Sequence, residues 1–243
     1  MIPDRRVDVA PTSTTENPKF RIFKTENNVN QTAQCGSTAE LECQVASDNA
    51  SVNVTWRKVG VGVLTRNNKT LVDDKRFLAK TKYGNVSSKF IVSFVFISFL
   101  QYWVLRIRYT QKGDEGFYEC RIDGDLEGSI LVNLTLQRAW AVINDAGINN
   151  TKEVKAGAVL RLSCYIENNV QGEKPLYIFW YKDDRVINYD LTDGSSIREG
   201  SQGSELIFPS AKPSDAGNYS CVPSNADQAS IFVSVKGQVD QPH

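Results

Sequence analysis

Asp114-Glu115-Gly116-Phe117-Tyr118-Glu119-Cys120 recurs as Asp215-Ala216-Gly217-Asn218-Tyr219-Ser220-Cys221, so the chain writes D-x-G-x-Y-x-C twice. Upstream of each copy stand another Cys and a Trp: Cys43 with Trp56, then Cys164 with Trp180. The glycine of each copy lets the backbone leave a turn without a Cβ clash. Around the upstream cysteines, Ala39, Leu41, Cys43 and Val45, and again Leu160, Leu162 and Cys164, alternate with polar residues at the period of half-buried strands. Val52, Val54 and Trp56 continue the pattern as a strand with those three inward. A chain of 243 residues has room for two such units of about 100 residues each, plus tails.

The recurring set of Cys, Trp and Tyr-x-Cys resembles the framework of immunoglobulin domains. The resemblance implies an all-β protein of two tandem immunoglobulin-like β-sandwiches, variable-type and then intermediate or constant-type, with strands lettered as in that fold. It makes Tyr118 and Tyr219 tyrosine corners, and it pairs Cys43 with Cys120 and Cys164 with Cys221 across the two sheets. The divisions expected are a disordered 1–27, a first domain over 28–138, a second over 139–236 and a tail over 237–243. An extra C′–C″ segment before Arg76-Phe77 makes the first domain variable-type, and Arg76 is expected to meet Asp114. The shorter Cys164 to Cys221 interval leaves no C″ strand in the second. Only a residue or two joins the domains, so the joint is expected to be semi-rigid. Cys35 is unmatched; a free or capped thiol, or a partner lost to a faulty gene model, is expected there, with an intermolecular disulfide as the alternative.

Formal net charge is zero, which argues against nucleic acid as a partner. The only His is the last residue, His243, so His-based acid–base chemistry, Ser–His or Cys–His pairs and ordinary zinc sites lack a donor. No phosphate-binding or dinucleotide fingerprint is present, no metal or cofactor is called for, and the chain reads as a non-enzyme. Paired cysteines imply an oxidising compartment. Asn30, Asn49, Asn53, Asn68, Asn85, Asn133, Asn149 and Asn218 all open Asn-x-Ser/Thr sequons, which supports export and glycosylation. Residues 1–19 carry no signal peptide and the end carries no membrane anchor, so the expectation is a mature or truncated chain, or a gene model lacking its first exon. Membrane attachment would need an anchor not written in this sequence.

Lys89 to Gln101 (KFIVSFVFISFLQ) interrupts the pattern. The run is short of the roughly 20 residues that span a bilayer, and a crossing there would put Cys43 and Cys120 on opposite sides. Directly after it, Trp103, Leu105 and Ile107 alternate as strand E. We read residues 89–101 as a short intron retained in frame, with a genuine apolar insertion between strands D and E as the alternative.

The order Trp103-x-Leu105-x-Ile107, the joint Gln137-Arg138-Ala139, Phe179-Trp180-Tyr181-Lys182 and Pro213 to Ala226 (PSDAGNYSCVPSNA) resemble the Dpr family of insect neuronal surface proteins and their nematode zwei-Ig relatives. The resemblance covers about Asn28 to Val235 and is closer in the second domain. It implies extracellular recognition, at the neuronal surface or secreted. The first domain's G-F-C-C′-C″ face would pair with another immunoglobulin-superfamily protein, heterophilic with homophilic pairing left open, in synapse specification or neuronal maintenance. Alternation places Arg57, Glu119 and Arg121 on that face. Asp123, Val61, Val63, Leu64 and Leu71 complete the expected site, an apolar row rimmed by charge. Asn53 should share this face. The alternative function is a soluble ligand-capture or defence protein that binds through its domain-end loops.

Overall fold

The computed structural model describes residues 22–47, 52–84, 87–91, 94–124, 128–144, 147–192 and 194–237, with backbone alone at 148 and over the described part of 87–99. In chain order the first unit contributes β1 (Val29–Gln34), β2 (Ala39–Ser47), β3 (Asn53–Lys58), β4 (Gly62–Arg66), β5 (Lys69–Thr70), β6 (Phe77–Tyr83), β7 (Ser87–Ile91), β8 (Phe94–Ile107), β9 (Gly116–Asp123) and β10 (Gly128–Gln137). The second contributes β11 (Trp140–Asn144), β12 (Thr151–Lys155), β13 (Leu160–Glu167), β14 (Ile178–Lys182), β15 (Arg185–Val186), β16 (Ser196–Glu199), β17 (Gly203–Phe208), β18 (Gly217–Pro223) and β19 (Ala229–Lys236).

Each unit is a two-sheet sandwich. The first packs β1-β10-β9-β3-β4-β5, the A′GFCC′C″ sheet, on β2-β8-β6, strands B, E and D, with β7 added to β8. The second packs β12-β19-β18-β14-β15 on β11-β13-β17-β16 and has no C″ strand among the described residues. Period-two alternation fills the space between the sheets. Leu41, Cys43, Val54, Trp56, Leu105, Tyr118 and Cys120 form one buried cluster, and Leu160, Leu162, Cys164, Trp180, Leu206, Tyr219 and Cys221 form its counterpart. Disulfides join Cys43 to Cys120 and Cys164 to Cys221. The Tyr118 hydroxyl donates to the Asp114 carbonyl at 2.6 Å and that of Tyr219 to the Asp215 carbonyl at 2.7 Å, so the repeated motif makes the same corner twice. Burial raises the pKa of both phenols, with Asp114 and Asp215 adding to the effect. Cys35 carries a free thiol, also raised by burial. Among the described residues no helix is long and apolar enough to cross a membrane.

Of the segment expected as a disordered 1–27, residues 22–27 are described and pair with the first unit, while 1–21 lie outside the described residues. Phe23 bridges to Val45 and sits in the core, the Lys24 amide donates to the Gln44 carbonyl and the Ala46 amide to that of Ile22. This is a short strand A on the B strand, after which β1 crosses to run parallel with β10 as A′. Burial of the Phe23 ring and the two backbone hydrogen bonds to the B strand together favour the attachment of strand A. The described backbone of 89–101 is taken up by β7 and the first half of β8, with Phe99, Leu100 and Gln101 extending the pairing on β2 to Ser47, Ala46 and Val45.

The two units touch through polar groups. Gln34, at the end of β1, has no exposed surface; its Nε2 donates to the Asn225 carbonyl at 2.6 Å and its Oε1 accepts from the Val170 amide at 3.0 Å. Gly36, at φ 81°, passes so close that a Cβ there would lie 2.7 Å from the Ser224 carbonyl oxygen. Gln137 donates to the Asn168 carbonyl and Asn168 to that of Arg138, closing the other side.

Candidate functional site

The outer face of the A′GFCC′C″ sheet can be built row by row from its registers. Ser129, Arg121, Thr55 and Arg66 form one row across β10, β9, β3 and β4, and Leu131, Glu119, Arg57 and Val63 form the next. Beyond it Asn133 faces Phe117, whose carbonyl accepts from the Val59 amide at 2.9 Å, and the chain turns through Val61 into β4. Arg57 pairs with Glu119 at 3.5 Å and Arg121 with Asp123 at 3.6 Å, while Thr55 Oγ1 donates to Asp123 at 2.7 Å.

The apolar side chains of this face gather at the C–C′ turn. Val59, Val61, Val63 and Phe117 are exposed there, Val61 at 72 %, and Leu71 is exposed at the C″ edge. The arrangement differs from an apolar centre with a charged rim: the Arg57–Glu119 pair lies mid-sheet and the apolar group occupies one end. Leu64 is not on the face at all. It is 3 % exposed and belongs to the core, since it alternates with Val63. A bulge opposite Trp56 and Arg57 then turns Thr65 inward as well. Phe117, Val59 and Leu131 are face residues absent from the sequence-based site, although the alternation that buries Tyr118 already sends Phe117 outward.

Of the sequons, Asn53 lies on this face, its Oδ1 accepting from Asn67. Asn30 and Asn133 are cross-strand partners on β1 and β10, with Asn133 Nδ2 donating to Asn30 Oδ1 at 3.1 Å. Asn68 accepts from Thr81, Asn149 is exposed ahead of β12 at φ 64°, and Asn218 is exposed on β18. Asn49 and Asn85 lie outside the described residues. Arg76 meets Asp114 with two bonds, Nη1 to Oδ2 at 2.6 Å and Nη2 to Oδ1 at 3.1 Å, and also holds Asp74, whose carboxyl it keeps below the ordinary range. Among the described residues no group of three or more His, Cys, Asp or Glu side chains could hold a metal ion.

Two sandwiches, each with its sheets bridged by a disulfide, define a tandem pair of immunoglobulin-like domains. An immunoglobulin-domain family model matches residues 146–225. The chain is 26 % identical over 217 residues to the zwei Ig domain protein zig-8 of Caenorhabditis elegans, covering 86 % of this chain and 72 % of that protein. It is 29 % identical to Lachesin of Schistocerca americana over 80 % of this chain, and 27 % identical to the human cell adhesion molecule DSCAM over 57 % of it. It spans half of Lachesin and 7 % of DSCAM. The solved Dpr2 Ig1-Ig2 in complex with DIP-Theta Ig1-Ig3 aligns over 89 % of this chain and 99 % of that one, at 22 % identity and a TM-score of 0.38. The chain is built of two tandem immunoglobulin-like β-sandwich domains and is similar to cell-surface recognition and adhesion proteins that carry such domains.

Proposed function

We propose that this protein is an extracellular neuronal recognition protein of the Dpr and zwei-Ig kind. Its first domain pairs through the A′GFCC′C″ face with an immunoglobulin-superfamily partner on another cell. The observation that carries the reading is the exposed group Val59, Val61, Val63 and Phe117 on a sheet face whose neighbouring charges are already paired. An apolar cluster beside polar selectors is the composition of a modest protein–protein interface. Similarity to zig-8 over most of the chain supports the neuronal assignment. The two disulfides and the exposed sequons support export.

A pairwise binding screen against extracellular immunoglobulin proteins identifies the partner, and Val63→Asp then tests the face. Affinity should fall by about 2 kcal/mol or more, roughly 30-fold in Kd, with secretion and melting unchanged. Leu64→Asp should instead block folding, because it buries a charge. Full affinity in a folded Val63→Asp protein moves the site to the domain-end loops.

A further inference from the structure

The repeated motif aligns the two domains residue by residue, and this brings out a pairing on strands F and G. In the first domain Phe117 on β9 stands directly opposite Asn133 on β10; at the same place in the second, Asn218 on β18 stands opposite Phe232 on β19. Both sites put an exposed or half-exposed sequon asparagine beside an exposed phenylalanine. They differ in what else the asparagine does. The amide of Asn133 is given to Asn30, whereas among the described residues the Asn218 side chain makes no hydrogen bond. Its backbone is held from both sides by Asp183, whose Oδ1 accepts from the Asn218 amide at 3.0 Å and whose own amide donates to the Asn218 carbonyl at 2.6 Å. The Cα–Cβ bond therefore leaves the sheet in a fixed direction, next to a ring that is 50 % exposed.

We infer that an N-linked glycan on Asn218 docks on Phe232, with its first N-acetylglucosamine lying across the ring. This rests on the extracellular reading above. Directly opposed cross-strand residues have Cβ atoms about 4.5–5.5 Å apart, so a sugar joined to Nδ2 reaches the neighbouring ring and no farther element is needed. One face of a pyranose carries only C–H groups. These pack on an aromatic face by dispersion, and their slight positive charge meets the negative face of the ring. Attachment precedes folding, because the sequon hydroxyl of Ser220 is buried and bonded to Ser230 at 2.8 Å in the finished sheet. The Nδ2–C1 bond forms as the C1–O bond to a lipid-linked diphosphate breaks. The amide gives up one proton, and the lipid diphosphate leaves with the electron pair.

The test uses the full chain secreted from animal cells that make trimmable high-mannose glycans. Peptide mass gives occupancy of Asn218, and the proton shifts of its first sugar give the docking. Those protons should lie upfield of their positions in Phe232→Leu, moved by the ring current. Trimming to a single sugar should leave the second domain's melting point unchanged. Complete enzymatic removal should lower it by several degrees, on the scale of the roughly 4–8 °C that one ordinary contact is worth in a domain this size. In Phe232→Leu, removal should change nothing; Asn218→Gln supplies the same comparison with the ring intact. Sugar shifts identical in wild type and Phe232→Leu, or equal melting losses in both, overturn the docking. An unmodified Asn218 on a secreted, disulfide-bonded chain also overturns it and leaves the adhesion reading standing, whereas partner binding lost with docking intact does the reverse.

Discussion

Arg76 and Arg57 each meet a carboxylate, and they should behave oppositely when removed. Asp114 keeps 6 % of its side-chain surface, takes two bonds from Arg76 and a third from the Gln111 amide, and carries the carbonyl that receives Tyr118. Arg76→Ala strands that charge inside the E–F corner. Breaking a buried pair costs about 3–5 kcal/mol, and this one should fall at the low end because Arg76 retains 22 % exposure. Denaturant titration of the first domain checks it; a loss under about 1 kcal/mol would mean that water already serves Asp114. Arg57→Ala should leave stability within about 1 kcal/mol, since its pair with Glu119 is open to solvent on the arginine side. At this scale the sequence was readable wherever a residue's role follows from its immediate neighbours. The Asp114 corner follows from its motif, and the inward set Val52, Val54 and Trp56 from alternation. Leu64 was misplaced because a row of aliphatic residues was read as one surface, when alternation had already sent Val63 and Leu64 to opposite sides.

Strand existence was legible and strand attachment less so. Phe23 and β1 belong to different sheets, and no local signal marks the switch, which is decided by what Val45 and Val132 offer as edges. The bulge in β4 is likewise invisible in a stretch of valines and glycines. Residues 89–101 pose the sharpest question among the elements. In the present register Tyr83 faces Gln101. Joining Ser88 directly to Tyr102 would put Ser88 in that place and leave Gly84 to Ser87 as a four-residue hairpin loop, a common length for antiparallel neighbours. A protein lacking 89–101 is therefore expected to be secreted with both disulfides and to melt no lower than the full chain. Sequencing the spliced message shows which form is made. A deleted chain that aggregates or stays in the cell would show that β7 and the early part of β8 are needed for the sandwich.

Across the whole molecule, the joint is set by residues that look ordinary in sequence. Gln34 reads as one more polar residue at the end of β1, and its partners Val170 and Asn225 lie 136 and 191 positions away, so no periodicity could reveal that its amide is fully enclosed. Gln34→Ala should leave the buried Asn225 carbonyl and the half-buried Val170 amide unpaired at the boundary. Calorimetry of the full chain should then change from one transition to two, and Gly36→Val, which sets side-chain atoms against Ser224, should do the same. A single unchanged transition in both variants would mean that the domains are coupled elsewhere. In each unit the A′ strand runs parallel to the last strand, β1 beside β10 and β12 beside β19. Tension drawn through the chain ends pulls these strands lengthwise past each other. The ladder bonds must then yield together instead of opening one after another, and survival under load follows the unfolding rate rather than the equilibrium stability. Single molecules stretched from their ends should give two abrupt lengthening steps, one per domain. Smooth extension at low load would show that the terminal strands peel. Domains built this way can carry a load along the chain without unravelling strand by strand.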